Sequence, residues 1–426
     1  MVFNTIDRMN KYIIIAMTLL SSVAVSAQEE EQAKFGIKFS GFVKNDFFWD
    51  SRQTVAAREG HFLLWPSPVN LGGDGTDING KANFNFLAVQ SRLSGKITGP
   101  SAFGAKTSGL IEGDFFAQAN DNVNLFRLRH AFVKLNWDHL EVMAGQYWNP
   151  LFVTGCFPGT VSFNTGTPLQ SFARNPQLRL TYKVGGLSIM AAALSQRDYS
   201  SVGPAGASSS YLRNSAIPDM HLQVHFGTSS ESDLNLLAGA GAAYKKIVPR
   251  LSSTPLLTTY SVDEEVGGLT AMAFAKVISG PITAKVQARY GENIADVLGI
   301  SGFAATELRD VLSGELAYSP LKSMTFWGEL HSNGNPQVGI FGGLTRNNGS
   351  KESILSSTMV YGRGTTIRSL YRIAPRIIYN SGKVRVAAEL EYTNAAYGAN
   401  YDEFFIPAET TNADNLRILA AIYYFF

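Results

Sequence analysis

An all-β fold, a transmembrane antiparallel β-barrel of about sixteen strands, is what the sequence predicts. Three observations point there. Apolar and polar residues alternate with period two from end to end, short and long links follow one another between the alternating segments, and the N-terminus has the pattern of an export signal.

The N-terminus comes first in the chain. Arg8 and Lys11 precede the apolar run YIIIAMTLL, and Val25-Ser26-Ala27 has the small-x-small form of a cleavage site. Residues 1–27 therefore read as a signal peptide and 28–426 as the mature barrel. The residue immediately after the cut is Gln28 rather than a cysteine, so no lipid anchor is expected there. No later window approaches the roughly 18 to 20 uninterrupted apolar residues of a membrane helix. Cys156 is the single cysteine, which leaves no internal disulfide, and its thiol reads as buried and inert. A net charge of +2 argues against nucleic-acid binding.

The strands follow. In FGIKFSGFVKNDFFWD (35–50), Phe35, Ile37, Phe39, Val43, Phe47 and Trp49 share one face, and Lys38, Ser40, Lys44, Asp46 and Asp50 the other. LAVQSRLSGKI (87–97), AKTSGLIEGDF (105–115) and QLRLTYKV (177–184) repeat the pattern, as do MHLQVHF, ITAKVQARY, KVRVAAELEY and LRILAAIYYFF further on. Strand starts are expected near residues 35, 84, 103, 125, 139, 177, 186, 219, 233, 267, 281, 307, 323, 369, 383 and 415.

The links sort into two kinds. TGPSA, GG, SGP, SPLKS and NSG carry tight-turn chemistry. The others are long: 50–83, 149–176, 198–218, 246–266, 292–306, 332–368 and 394–414, with 117–124 the shortest. Short periplasmic turns and long external loops are the asymmetry of an outer-membrane barrel. On that reading the apolar rows meet lipid and the polar rows line a lumen. Trp49, Tyr244, Tyr290 and Tyr392 are expected at the outer rim, and Trp137, Tyr318, Tyr379, Tyr424 and Phe426 at the inner rim. The terminal Phe426, on the apolar row of the last strand, resembles the signal read by the outer-membrane assembly machinery.

FRLRHAFVKLNW (126–137), followed by AGQYWNPLF (144–152), resembles a strand pair and the start of a loop in the DcaP-like outer-membrane porins, in a form similar to Bacteroidota members. The resemblance implies a Gram-negative outer-membrane location and a homotrimer of sixteen-stranded barrels, each passing small, often anionic, solutes. It carries no solute-binding motif residue by residue.

The segment 149–176 follows the fifth strand, where porins fold a loop inward, and it carries Phe152, Phe157, Phe163, Phe172 and Arg174; it is expected to narrow the pore. Sorting charges by face places Lys44, Arg92, Lys106, Arg179, Lys285, Arg289, Arg372 and Arg376 on the lumen side, with Lys38, Lys96, Lys183, Arg385 and Arg417. Fewer acids accompany them: Asp46, Asp50, Glu112, Asp114, Glu315, Glu329, Glu389 and Glu391. Arg127 and Arg129 start on a face that turns apolar at Ala131, so a bulge is expected to redirect them inward. Arg92, Arg129, Arg179, Arg289 and Arg372 would then form a ladder for carboxylate or phosphate-like anions.

Other motifs carry less. LAGAGAAY lacks the third glycine and the helix of a dinucleotide fingerprint. His221 and His225 share a face but lie roughly 13 Å apart along a strand, too far to chelate one ion, and read as solvated lumen residues. GGDGTDING (72–80) lacks the spacing and final Glu of a calcium loop. No Ser-His-acid set occupies the apolar rows, so no enzyme, cofactor or metal is expected. The alternative is a surface-exposed adhesin or structural barrel whose long loops bind a partner.

Overall fold

The computed structural model describes residues 35–228 and 234–426; the expected signal peptide lies outside them. Sixteen antiparallel strands close on themselves, the second of them in two pieces. They are β1 (Gly36–Asp50), β2 (Asn83–Leu87 and Arg92–Thr98), β3 (Lys106–Asp114) and β4 (Arg127–Asn136). Then come β5 (Leu140–Trp148), β6 (Arg174–Val184), β7 (Leu187–Leu194) and β8 (Asp219–Gly227). The next four are β9 (Leu234–Ile247), β10 (Val266–Ser279), β11 (Ile282–Glu292) and β12 (Glu315–Ser332). The last are β13 (Gln337–Ser350), β14 (Ile367–Ser381), β15 (Val384–Tyr401) and β16 (Pro407–Phe425). Closure comes from β16 pairing with β1, in register from Phe42↔Phe425 to Asp50↔Arg417.

The alternation has the expected sidedness. Along β1, Phe39 is 64% exposed while Lys44 is 0%. Leu178, Leu180, Tyr182 and Val184 of β6 likewise face outward, with Arg179 between them facing in. Pairing consumes the backbone polar groups of every strand, which a bilayer requires because lipid offers no hydrogen-bond partner. A barrel of this strand number is wide enough for an aqueous channel.

Four expectations fail in ways the structure explains. The strand expected near 307 is not part of the barrel wall. Residues Ser301–Asp310 pair with the start of β12 in a hairpin that projects outside the barrel, so SPLKS (319–323) lies within β12 rather than at a turn. Pro320 sits opposite Phe303 in this projecting part, and it gave the false turn signal. The wall strand hidden in the expected 332–368 loop is β13, whose glycines dilute the alternation. They serve packing: a Cβ on Gly339 would lie 3.0 Å from Arg376 Cζ, and one on Gly343 2.9 Å from Leu169 Cδ1. The two errors cancel in the strand count. Tyr318 and Glu315 consequently belong to the projecting hairpin, not to the inner rim or the lumen. Finally, the expected 394–414 loop is mostly strand, because β15 and β16 stay paired as far as Tyr401↔Pro407 and leave only 402–406 as the link.

Candidate functional site

The segment between β5 and β6, residues 149–173, turns into the barrel at its first residues. Trp148 stacks on Phe152 with centroids 3.9 Å apart, and Asn149 accepts from the Leu151 N–H at 3.0 Å. Arg174 begins β6, so it lies on the wall rather than in the loop. The loop then runs past the inner wall from β8 to β1, bonding as it goes. Gln223 and Gln287 donate to the carbonyls of Pro150 and Leu151, and Cys156 Sγ lies 3.5 Å from the Ala275 carbonyl. Lys285 donates to Phe157 O at 3.0 Å, and Glu329 accepts from Gly159 N–H at 2.5 Å. Glu389 takes the N–H groups of Val161 and Ser162 at 2.7 and 3.1 Å, while Lys44 donates to Val161 O at 3.0 Å.

The loop's return half is held by Glu391 on Asn164, Arg372 on Thr167 O at 2.6 Å, and Arg289 on Pro168 O and Ser171. Such bonds to charged groups are each worth about 1.5–3 kcal/mol. Two glycines make the path possible. A Cβ on Gly159 would lie 2.8 Å from Arg376 Nη2, and Gly166 has φ +79° with its Cβ position 2.7 Å from the Phe341 ring. Phe152, Phe163 and Phe172 are buried, whereas Phe157 remains 36% exposed.

The loop does not fill the interior alone, and the sequence reading missed its partners. In the first external loop, the hairpin Thr54–Ala57 and Phe62–Pro66 also tucks inward. Its Leu64 carbonyl accepts from Arg372 at 2.7 Å, its Pro66 carbonyl from Tyr397 at 2.7 Å, and its Phe62 ring meets Phe163 and Phe172. Between β11 and β12, Ile294, Val297, Leu298 and Ile300 join the same apolar cluster, with Trp327 and Phe341 from the wall. The run HFLLWP (61–66) was the available signal, since six such residues gain nothing in a solvated loop.

The sites singled out from sequence fall into two groups. Lys44, Lys285, Arg289, Arg372 and Arg376 lie against the loop. Arg372 is fully buried, 3.3 Å from Glu391, and Arg376 meets Glu329 at 2.8 Å. Arg127 and Arg129 are turned inward by a bulge in β4 opposite Glu112 and Gly113. Arg127 pairs with Asp114 at 2.8 Å, Arg129 with Glu112 and Asp114 at 2.8 Å each, and Arg174 with Asp198 at 2.7 Å. Burial opposes ionisation of Asp198, but the guanidiniums of Arg174 and Arg127 outweigh it and hold its carboxyl below the usual aspartate range.

One expectation must therefore be corrected. Arg129, Arg289 and Arg372 are not rungs of a solvated ladder: each is buried and engaged with an acid or a loop carbonyl, because a buried guanidinium needs such partners. His221 is likewise buried, 3.1 Å from Asp219, rather than solvated. Cys156 is a buried free thiol.

The wall that the loop leaves uncovered runs from β2 to β7. Its inward rows and those of β1 and β15 carry Lys38, Arg92, Lys96, Lys106, Lys134, Arg179, Lys183 and Arg385, all reaching solvent. Glu112 and Glu141 are the acids that reach solvent there. Lys134 and Lys183 share Glu141 at 2.9 and 3.1 Å, and Arg92 meets Glu112 at 3.6 Å. Among the described residues, no cluster of His, Cys, Asp or Glu is placed to hold a metal ion.

A scan of protein-family models returns no match for this chain, nor does a search of curated proteins. Solved structures do match. The outer membrane channel DcaP of Acinetobacter baumannii superposes with a TM-score of 0.67 at 15% identity, over 94% of this chain and 100% of that one. An anion-selective porin from Comamonas acidovorans gives 0.54 at 12% identity, over 92% and 100%. The trimer form of OmpT, an outer membrane protein of Vibrio cholerae, gives 0.53 at 11% identity, over 92% and 100%. At these identities the likeness is one of fold, and the fold of this chain is that of the outer-membrane porins of Gram-negative bacteria.

Proposed function

We propose that the protein is a non-enzymatic outer-membrane porin that passes small hydrophilic solutes by diffusion, with a preference for anions such as carboxylates. The observation that carries this reading is the charge of the uncovered wall, where Lys38, Lys96, Lys106 and Arg385 reach solvent without a carboxylate within 4 Å among the described residues. Rings of Lys and Arg favour anions in a pore. The loop 149–173 narrows the lumen, and Lys38, Lys96, Lys106 and Arg385, each within three residues of the inner end of its strand, line the passage on the inner side of that narrowing. The anion-selective porin of Comamonas acidovorans, which shares the fold, lends support. A homotrimer, inserted by the outer-membrane assembly machinery through the Phe426 end, is part of the proposal.

The test is replacement of Lys96, Lys106 and Arg385 by Gln in protein reconstituted into planar bilayers. The anion-to-cation permeability ratio should fall at least threefold while the channel still opens. An unchanged ratio would count against the basic wall as the selectivity element. The adhesin alternative keeps one specific observation: Leu256 and Leu257, at 99% and 97% exposure, stand in an external loop that is tied, through Ser253 on the Ser313 carbonyl, to the turn carrying the exposed Val311 and Leu312. That reading expects a barrel without conductance.

A further inference from the structure

Beneath the inserted loop, three aromatic rings face the lumen together. Phe42 is directly opposite Phe425 across the closing seam of the barrel, and Tyr423 is opposite Lys44. The Tyr423 and Phe425 rings are parallel within 4°, with centroids 5.7 Å apart, and Phe42 meets them at 5.9 and 5.8 Å with its plane tilted by about 60°. All three are half-buried on inward rows that elsewhere in the barrel are predominantly polar. Exposed ring surface in an aqueous passage is unfavourable unless something covers it.

Cations border the rings on both sides. Arg385 Cζ lies 5.7 and 5.2 Å from the Tyr423 and Phe425 centroids, and Arg92 Cζ lies 5.1 Å from that of Phe42. Lys44 Nζ, 4.8 Å from the Tyr423 ring, also holds Val161 of the loop, so the rings stand just below the loop's tip. Arg385 spends only Nε, on Asn380 at 2.8 Å, and among the described residues has no carboxylate within 4 Å.

We infer that Phe42, Tyr423 and Phe425, with Arg385 and Arg92, form a binding platform for aromatic carboxylates at the inner exit of the constriction. The aryl ring of such a solute lies over the Tyr423–Phe425 shelf, and its carboxylate takes the two free Nη groups of Arg385 in a forked pair. A sugar would also stack on such a shelf, but its hydroxyls call for acceptor carboxylates, and the groups bordering these rings are cations. The inference rests on the proposed pore and deepens it by naming a solute class.

The experiment measures block of single-channel current by benzoate, cyclohexanecarboxylate and glucose added on the side nearest Phe426. In the unmodified channel benzoate should block at a concentration at least threefold lower than cyclohexanecarboxylate, and glucose should not block. Phe42→Leu and Tyr423→Leu should each abolish the preference for benzoate over cyclohexanecarboxylate, and Arg385→Gln should raise the blocking concentration of both acids at least threefold. Two separate positions are used because a change near the chain end can impair assembly. Equal block by the two acids in the unmodified channel, a preference that survives both ring replacements, or block by glucose at the benzoate concentration would overturn the platform. The salt-gradient reversal potential, recorded in the same membranes, shows separately whether the anion preference itself stands.

Discussion

Replacing Glu389 by Ala should loosen the loop inside the barrel without opening the barrel itself. Its carboxylate accepts two backbone N–H groups at the loop's tip, from Val161 at 2.7 Å and Ser162 at 3.1 Å. At about 1.5–3 kcal/mol for each bond to a charged group, the pair anchors the tip by about 3–6 kcal/mol. Part of this is recovered on replacement, because Glu389 and Glu391 share a face and repel each other. A net loss near 3 kcal/mol still raises the population of the released tip about a hundredfold. The remaining tethers, Glu329 on Gly159 and Arg372 on Thr167, keep the rest of the loop inside. The β14–β15–β16 ladder does not involve the side chain, so assembly should be unaffected. Single-channel recording should therefore show larger conductance and more open-channel noise for Glu389→Ala. Glu389→Gln, which keeps one acceptor oxygen, should fall between that variant and the unmodified protein. Conductance and noise identical to the unmodified channel would refute the idea that the tip's position sets the width of the passage.

Two further outcomes follow from the same geometry. The thiol of Cys156, a residue of the loop, is buried against the barrel wall, so maleimide should leave the folded protein unlabelled and react fully after denaturation; rapid labelling of the folded protein would show that the loop is not seated. Asp198 is held below the usual aspartate range by Arg174 and Arg127, so its ion pairs should stabilise the 195–218 loop above about pH 4 and be lost as pH falls through the lowered value. Protease protection of that loop should thus fall in acid, Asp198→Asn should lose it at neutral pH too, and full protection of the variant at pH 7 would contradict the assignment.

The wall was legible in the sequence because a lipid-facing strand leaves no freedom: Leu178, Leu180, Tyr182 and Val184 must be apolar, and the residues between them must not be. Legibility ended where that constraint ended. In β13 the alternation is interrupted by glycines that make room for Leu169 and Arg376, and a contact across the barrel leaves no local trace. The projecting hairpin of β12 is buried by other loops rather than by lipid, so Tyr318 imitated a rim residue. Which charges face inward could be read from parity, including the bulge at Arg129. Which of them still meet water could not, because that is decided by a loop from a distant part of the chain and by the unrecognised hairpin at Phe62–Pro66.

The measurement closest to the central claim is the zero-current potential of the purified, unmodified protein in a planar bilayer under a potassium chloride gradient. A passage flanked by Lys96, Lys106 and Arg385 predicts discrete channels whose reversal potential has the sign of chloride exceeding potassium, with the bias shrinking as salt screens the wall. Absence of channels, or a potential of the opposite sign, would contradict the account.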